Sequence, residues 1–307
     1  MKRIFIGLAS LFLLSAICSA CDICGCGVGN SYIGILPDFS KKIIGIRYRY
    51  NSLRTHIGAG GAITYLTTDE RYRMMELWGG WNISKRIRIM ASLPYNFNEK
   101  KSQDEIKRKS GLGDFMVSGY YELANKRKAV LNDKLLVQSL WIGAGVKIPT
   151  GEYANADKSD MADNSNLFQL GTGSIDFSAN VMYDIRLQDA GLNFNAGYRI
   201  NTVNKYSYRY GNKFSLSTQA YYKFRLADKI SIAPNAGIQY ENAAKDMDGR
   251  YRADISGGRI LLATVGAEAV FNKVIVGANY QLPLSQRLAG GFVKANNRWM
   301  IHVSFSL

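Results

Sequence analysis

The stretch from position 175 to 185 reads IDFSANVMYDI, and it decides the fold class of this 307-residue chain. Apolar side chains occupy every odd position, whereas the even positions carry Asp176, Ser178, Asn180, Met182 and Asp184. Strict alternation over about ten residues is typical of a membrane-spanning β-strand with one face toward lipid and the other toward a lumen. The stretch therefore predicts a transmembrane strand.

The same alternation recurs along the chain and predicts a barrel built from such strands. The last residues, from Trp299 to Leu307, also alternate, and a barrel must close its last strand against its first so that no sheet edge faces lipid. We predict an all-β fold, a transmembrane antiparallel β-barrel of about 12 strands of the bacterial outer-membrane type, since such barrels have an even number of strands. The predicted strands lie near 42–51, 72–83, 86–97, 112–123, 135–149, 168–187, 191–202, 213–226, 230–241, 259–271, 273–284 and 297–307.

The predicted connections differ in length at the two ends of the barrel. In barrels of this class short turns face the periplasm and longer loops face outside. The predicted turns are Ser84-Lys85, Ala124–Lys134, Gln188–Ala190, Ala227–Lys229 and Asn272-Lys273. The predicted external loops are Ser52–Arg71, Asn98–Gly111, Thr150–Leu167, Thr202–Asn212, Asn242–Gly258 and Ser285–Asn296. The second of these loops holds a basic run at 100–101 and 107–109, which is either a solvated loop or a contact with anionic surface lipid.

The first twenty residues predict export from the cytoplasm. A basic start at 1–3 precedes an apolar stretch from Ile4 to Ile17 and the small-residue site Cys18-Ser19-Ala20, as in a secretory signal peptide. We therefore predict a signal peptide at 1–20, a Cys/Gly-rich periplasmic or plug segment at 21–40, and the transmembrane barrel at 41–307. The predicted location is the cell outer membrane of a Gram-negative bacterium.

The charge balance narrows the classes of partner. The chain has 39 Lys and Arg against 24 Asp and Glu, a formal net charge of +15. Such a balance suits nucleic acid, anionic lipid or anionic solutes. Because the chain is predicted to be exported, we expect no nucleic acid partner and instead expect outer-membrane lipid and a small-molecule solute.

Cys21, Cys24 and Cys26 form the one cysteine cluster of the mature chain. Three interpretations stay open: a disulfide or redox role in an oxidising compartment, a soft-metal site for copper or zinc, and acylation of Cys21. The metal hypothesis lacks a fourth ligand from a histidine, since His56 lies in a predicted loop and His302 in the last strand.

Charged residues lie on the predicted lumen face of the strands. Charges that faced lipid would be costly, so this sorting favours the barrel. The interpretations are a solute path with a mixed, partly cationic wall, or a salt-bridged lumen that is closed. The predicted lumen and selectivity residues are Arg47, Arg49, Glu76, Arg86, Arg88, Asp114, Glu122, Lys147, Asp176, Asp184, Arg199, Lys223, Arg225, Glu241 and Glu268.

The sequence has no pattern that favours an enzyme. Neither Gly-x-Ser-x-Gly, His-Glu-x-x-His nor a phosphate-binding loop occurs, and the glycines at 58–61 lack the Lys and Ser/Thr that such a loop needs. We therefore predict no catalytic residues.

Three short motifs resemble a known family. They are Gly-Leu-Gly-Asp at 111–114, Lys-Ile-Pro-Thr-Gly at 147–151 and Leu-Gly-Thr-Gly-Ser at 170–174. In this order they resemble the outer-membrane proteins grouped with the meta-pathway phenol-degradation transporters, over about residues 40–307. The resemblance implies passage of hydrophobic or aromatic compounds across the outer membrane, and the Cys-rich start resembles Bacteroidetes-type relatives. From the residues themselves we expect Asp114 and Asp176 to pair with Arg47 or Arg88 in a structural role.

Overall fold

The computed structural model describes residues 42–130, 134–157, 166–227 and 230–307. The predicted signal peptide and Cys/Gly-rich segment lie outside the described residues. Within those ranges, no helix is both long and apolar enough to cross a membrane.

Twelve strands, numbered in chain order, form the barrel wall. Two of them are interrupted: β4 consists of Ile106–Leu112 and Phe115–Val130, and β8 consists of Lys213–Tyr222 and Phe224–Ala227. The other ten are β1 (Ile43–Thr55), β2 (Thr68–Asn82), β3 (Ile87–Lys101), β5 (Lys134–Ile148), β6 (Asp176–Leu187), β7 (Ala190–Ile200), β9 (Ile230–Ala243), β10 (Gly258–Phe271), β11 (Val274–Leu288) and β12 (Arg298–Ser306).

Short elements lie in the long loops, which we call the loop end of the barrel. The strand Lys294–Ala295 pairs with the end of β1. Three two-residue strands form a separate sheet, and three short 3-10 helices complete the described elements. They are Tyr208–Arg209, Met247–Asp248, Tyr251–Arg252, Ala59–Gly61, Asn155–Asp157 and Ala289–Gly291.

The barrel is closed. Consecutive strands pair antiparallel, and β1 also pairs with β12, from Ile43 opposite Ser306 to Tyr50 opposite Trp299. No backbone edge of the described sheet is therefore left open to lipid, as a membrane-spanning sheet requires. The predicted fold class and strand number are confirmed.

The two faces of the wall differ as the alternation predicts. On β1, Ile44 and Ile46 are exposed on the outer face, while Arg47 is only 4% exposed on the lumen face. An outer apolar face and a polar lumen suit a sheet surrounded by hydrocarbon. The outer face carries exposed apolar side chains on all sides, including Met75, Leu77, Ile142, Val146, Phe177, Val181, Ile238, Val265, Val276, Ile301 and Val303.

Several strands extend beyond the predicted bounds. The predicted loop Asn98–Gly111 shrinks to four residues because Lys101 pairs with Ile106, and the basic run therefore lies on β3 and β4. The predicted loop Ser52–Arg71 and turn Ala124–Lys134 shorten in the same way. The prediction was wrong here because it required apolar alternation, whereas a backbone ladder with polar side chains continues in water beyond the lipid.

The predicted strand 168–187 begins only at Asp176. The preceding residues 166–174, here called the lumen loop, fold inward instead. Asn96 and Asn98 on the lumen face of β3 donate to the carbonyls of Leu170 and Gln169, at 2.9 and 3.0 Å. Glycine allows the backbone to take this course, since Gly173 has a φ of 69°, which other residues rarely adopt.

Candidate functional site in the barrel lumen

Four side chains meet where the lumen loop joins the wall, and we call Asp114, Lys147, Thr172 and Asp176 the rim cluster. Asp114 lies in the break of β4, Lys147 near the end of β5, and Asp176 at the start of β6, directly opposite Lys147. The Lys147 Nζ lies 2.6 Å from Asp114 Oδ2 and 2.5 Å from Asp176 Oδ2, and it also donates to Thr172 Oγ1. One ammonium group is thus held by two carboxylates.

Asp114 also fixes the backbone of the lumen loop. Its carboxylate accepts hydrogen bonds from the backbone N–H of Gly151 at 3.1 Å and of Thr172 at 2.9 Å. A Cβ atom at Gly171 would collide with Asp114 Oδ1 and with the Gly151 backbone, so glycine is needed there. The three motifs at 111–114, 147–151 and 170–174 therefore converge on one structural junction. The expected pairing of Asp114 and Asp176 with Arg47 or Arg88 is wrong, because Lys147 pairs with both carboxylates.

A second charged group lies deeper in the lumen, and we call Arg47, Arg49 and Glu76 the arginine cluster. Arg47 lies opposite Glu76 in the register of β1 and β2, so both side chains enter the lumen side by side. The Glu76 Oε2 accepts from Arg47 Nη1 at 2.9 Å and from Arg49 Nη2 at 3.0 Å. Arg47 also lies over the Trp78 ring, 4.9 Å from its centroid. Within the cluster two guanidinium groups share one carboxylate.

Two adjoining cavities run along this wall of the lumen. The open space in them, which includes solvent of the lumen, is about 470 Å³ in one and about 390 Å³ in the other, and both are lined by Arg49, Glu76, Ser92 and Met116. The larger cavity lies toward the loop end, where its remaining lining residues are Met74, Pro94, Asn96, Asp114, Lys147, Leu170 and Arg199. The smaller cavity lies toward the turn end, where its remaining lining residues are Arg47, Trp78, Met90, Ala91, Ser118 and Tyr120. Sulfur and aromatic surfaces therefore lie beside guanidinium groups along one path.

The wall from β9 to β12 also carries buried polar side chains. Arg298 on β12 donates to the Glu241 carboxylate of β9 at 3.0 and 3.2 Å. His302 Nε2 lies 3.7 Å from Glu268 Oε1. Arg298 was not predicted as a lumen residue, although it shares the parity of His302 in the last strand.

The remaining predicted lumen residues occupy different positions. Arg88 is fully buried and donates to Asn82 at 3.1 Å, and Asp184 accepts from the Tyr221 hydroxyl at 3.1 Å. Arg199 is half-buried, with its Nη2 3.6 Å from Met116 Sδ in the larger cavity. Glu122 and Lys223 are half-buried near the turn end.

Arg86 and Arg225 are exposed at the turn end of the barrel. Arg86 falls in the turn directly before β3, two residues from the buried Arg88. The Arg225 side chain instead reaches Asp189 in the neighbouring turn, at 2.9 Å. Cys21, Cys24 and Cys26 lie outside the described residues. Among the residues that are described, no group of three or more His, Cys, Asp or Glu side chains is placed to hold a metal ion.

A tyrosine group supports the lumen loop from the loop end. Tyr210 donates to the Asn166 carbonyl at 2.9 Å, and Asn166 Nδ2 donates to the Tyr153 hydroxyl at 2.6 Å. Tyr208 donates to Asp246 at 2.6 Å. Burial raises the pKa of Tyr153 to about 12, so this hydroxyl stays protonated at physiological pH. Both ends of the lumen loop are therefore tied to the barrel.

A closed antiparallel barrel with an apolar outer face and a polar lumen defines the class of bacterial outer-membrane β-barrels. The model of the family described as "Putative MetA-pathway of phenol degradation" matches residues 47–282, and the chain belongs to this family. The family resemblance inferred from the three motifs is thereby confirmed.

A solved structure shares the fold. An outer-membrane channel from Pseudomonas putida F1 aligns with a TM-score of 0.59 at 14% identity, covering 89% of this chain and 97% of that one. The β domain of the Bordetella autotransporter BrkA aligns with a TM-score of 0.46 at 11% identity, covering 87% of this chain and 100% of that one. No curated protein sequence matches the chain.

Proposed function

We propose that the barrel is a narrow channel through which small solutes with an apolar or aromatic part cross the outer membrane. The observation that carries this proposal is the pair of adjoining cavities along β1 to β4, which lead from the lumen loop toward the turn end. Membership of a family named for phenol degradation and a shared fold with an outer-membrane channel support it.

The lining of the cavities favours solutes that combine a ring with a negative charge. Met74 and Met116 offer polarisable sulfur to an aromatic ring, a contact worth about 0.3–1.5 kcal/mol. Arg49 and Arg199 line the same cavity and attract a carboxylate or phenolate. We therefore propose small aromatic anions, with phenols as weaker solutes.

The lumen loop sets the width of the proposed path. Twelve strands enclose much less space than the 16–18 strands of open porins, so an inward loop narrows the passage strongly. Leu170 of this loop lines the larger cavity, and the rim cluster holds the loop in place. The channel is thus proposed to select by size at the loop and by charge at the arginine cluster.

Solute flux into vesicles tests this proposal. Mature protein in liposomes is compared for entry of benzoate, phenol and a neutral sugar. Met116→Trp fills the shared part of the two cavities, and Met75→Trp is the matched control because Met75 lies on the same sheet but faces lipid. We expect M116W to slow benzoate entry severalfold and M75W to leave it unchanged. Equal rates of benzoate entry through the two variants would show that solute does not pass through these cavities.

A further inference from the structure

Three arginines meet on the outer face of the barrel near the loop end, and we call Arg71, Arg73 and Arg108 the outer arginine cluster. They come from β2 and β4 and surround Glu99 on β3. Arg71 Nη1 lies 3.0 Å from the Glu99 carboxylate, Arg108 Nε lies 2.9 Å away, and Arg73 Nη2 lies 3.6 Å away. Three positive charges thus share one negative charge.

The faces of the strands place this cluster outside the lumen. Arg71 and Arg73 alternate with the lumen-facing Tyr72 and Met74, and Glu99 lies directly opposite both Arg71 and Arg108. The basic residues at 100–101 and 107–109, which were predicted to lie in an external loop, are thereby divided between the two faces of a sheet. Only the outward ones, Arg108 among them, can meet the membrane surface.

The cluster lies directly above the apolar belt. Two positions further down β2 from Arg73 is Met75, which stands opposite Tyr95, and Tyr95 stands opposite Leu112. All three of these side chains are exposed on the outer face. Two residues along a strand span about 7 Å, so the guanidinium groups lie at the height of lipid headgroups when the belt is in hydrocarbon.

The arginines keep hydrogen-bonding capacity for an anion from outside. Their side chains are 51%, 40% and 71% exposed for Arg71, Arg73 and Arg108. Guanidinium groups match phosphate oxygens in pairs of parallel hydrogen bonds.

We propose that the outer arginine cluster binds the phosphate groups of the phosphorylated glycolipid in the outer leaflet. The site has a charged part and an apolar part, and the lipid contacts both. Its phosphates bind the arginines, while its acyl chains lie along Met75, Tyr95 and Leu112. A free phosphate ion would contact only the arginines. Because salt screens exposed charges over about 8–10 Å, that contact alone would be weak.

The test compares two charge-matched variants of the refolded chain in detergent micelles. R71Q/R73Q/R108Q removes the cluster. K126Q/R127Q/K128Q removes the same charge from exposed positions at the turn end of β4. Bisphosphorylated lipid A, dephosphorylated lipid A and inorganic phosphate are titrated while bound lipid is counted by native mass spectrometry. Heat-modified mobility on gels confirms that each variant is folded.

We expect the cluster variant to bind bisphosphorylated lipid A at least about tenfold more weakly than the turn-end variant, since several charge-assisted hydrogen bonds are lost. The native chain should bind dephosphorylated lipid A and inorganic phosphate weakly. Equal binding by the two variants, or equal binding of both lipids by the native chain, would overturn the proposal. Tight binding of inorganic phosphate alone would reassign the cluster to a soluble anion.

Discussion

The rim cluster and the arginine cluster are both buried groups of charged side chains in one lumen, but they differ in the ratio of positive to negative groups. In the rim cluster one ammonium group meets two carboxylates, and Asp114 also accepts two backbone N–H groups of the loop segments. In the arginine cluster two guanidinium groups meet one carboxylate beside a cavity. The difference indicates that the first cluster fastens a loop, whereas the second presents net positive charge to the adjoining cavity.

Asp114→Ala should have the largest effect on stability. The change leaves Lys147 with one carboxylate and two backbone N–H groups without their acceptor, which should lower the free energy of unfolding by about 3 kcal/mol. Denaturant titration of the folded barrel measures this change, and limited proteolysis should cut residues 150–174 faster. Glu122→Ala on the same strand is the control, since Glu122 is hydrogen-bonded to Asn125 near the turn end. If D114A were as stable as E122A, the rim cluster would not fasten the loop.

The loss of unfolding free energy caused by Lys147→Met should be partly restored when Asp114→Asn is added. The single change leaves Asp114 and Asp176 as neighbouring buried carboxylates, and neutralising one of them relieves the repulsion. A double-mutant cycle should give a coupling of about 1–3 kcal/mol between positions 114 and 147. Additive losses in that cycle would mean that Lys147 and Asp114 act independently, contrary to the geometry.

Arg49→Gln should change ion selectivity more than stability. Arg47 still pairs with Glu76, so the loss of unfolding free energy should be about 1–2 kcal/mol. The ratio of chloride to potassium permeability should fall by roughly twofold to fivefold, since one positive charge leaves the cavity wall. Reversal potentials in a salt gradient measure this ratio. An unchanged ratio would show that the arginine cluster does not face the conducting path.

Arg225→Gln should have the smallest effect on stability and on ion selectivity. It serves as the reference for the variants of the rim cluster and the arginine cluster. The Arg225–Asp189 ion pair is partly exposed at the turn end, and exposed pairs are worth about 0–1 kcal/mol. Unfolding free energy and reversal potential should both stay close to those of the native chain. A change in selectivity as large as that of R49Q would mean that bulk charge, and not position in the lumen, governs the current.

Alternation was sufficient to predict the barrel, its strand number and the lumen parity of Arg47, Glu76 and Lys147. It failed at residues 168–174, which were predicted to extend β6 but turn inward because Asp114, Asn96 and Asn98 bind their backbone. No periodicity encodes such bonds between distant loops. The pairing of Lys147 with both aspartates also depends on strand register, which the pattern of one strand does not contain.

The most direct test of the channel proposal is single-channel conductance of the refolded mature protein in planar bilayers, with and without benzoate. We predict a small, stable conductance that benzoate blocks in a concentration-dependent manner, with weaker block in Arg49→Gln. A folded, heat-modifiable barrel that conducts no current would contradict the account and would indicate a lumen closed by its own ion pairs.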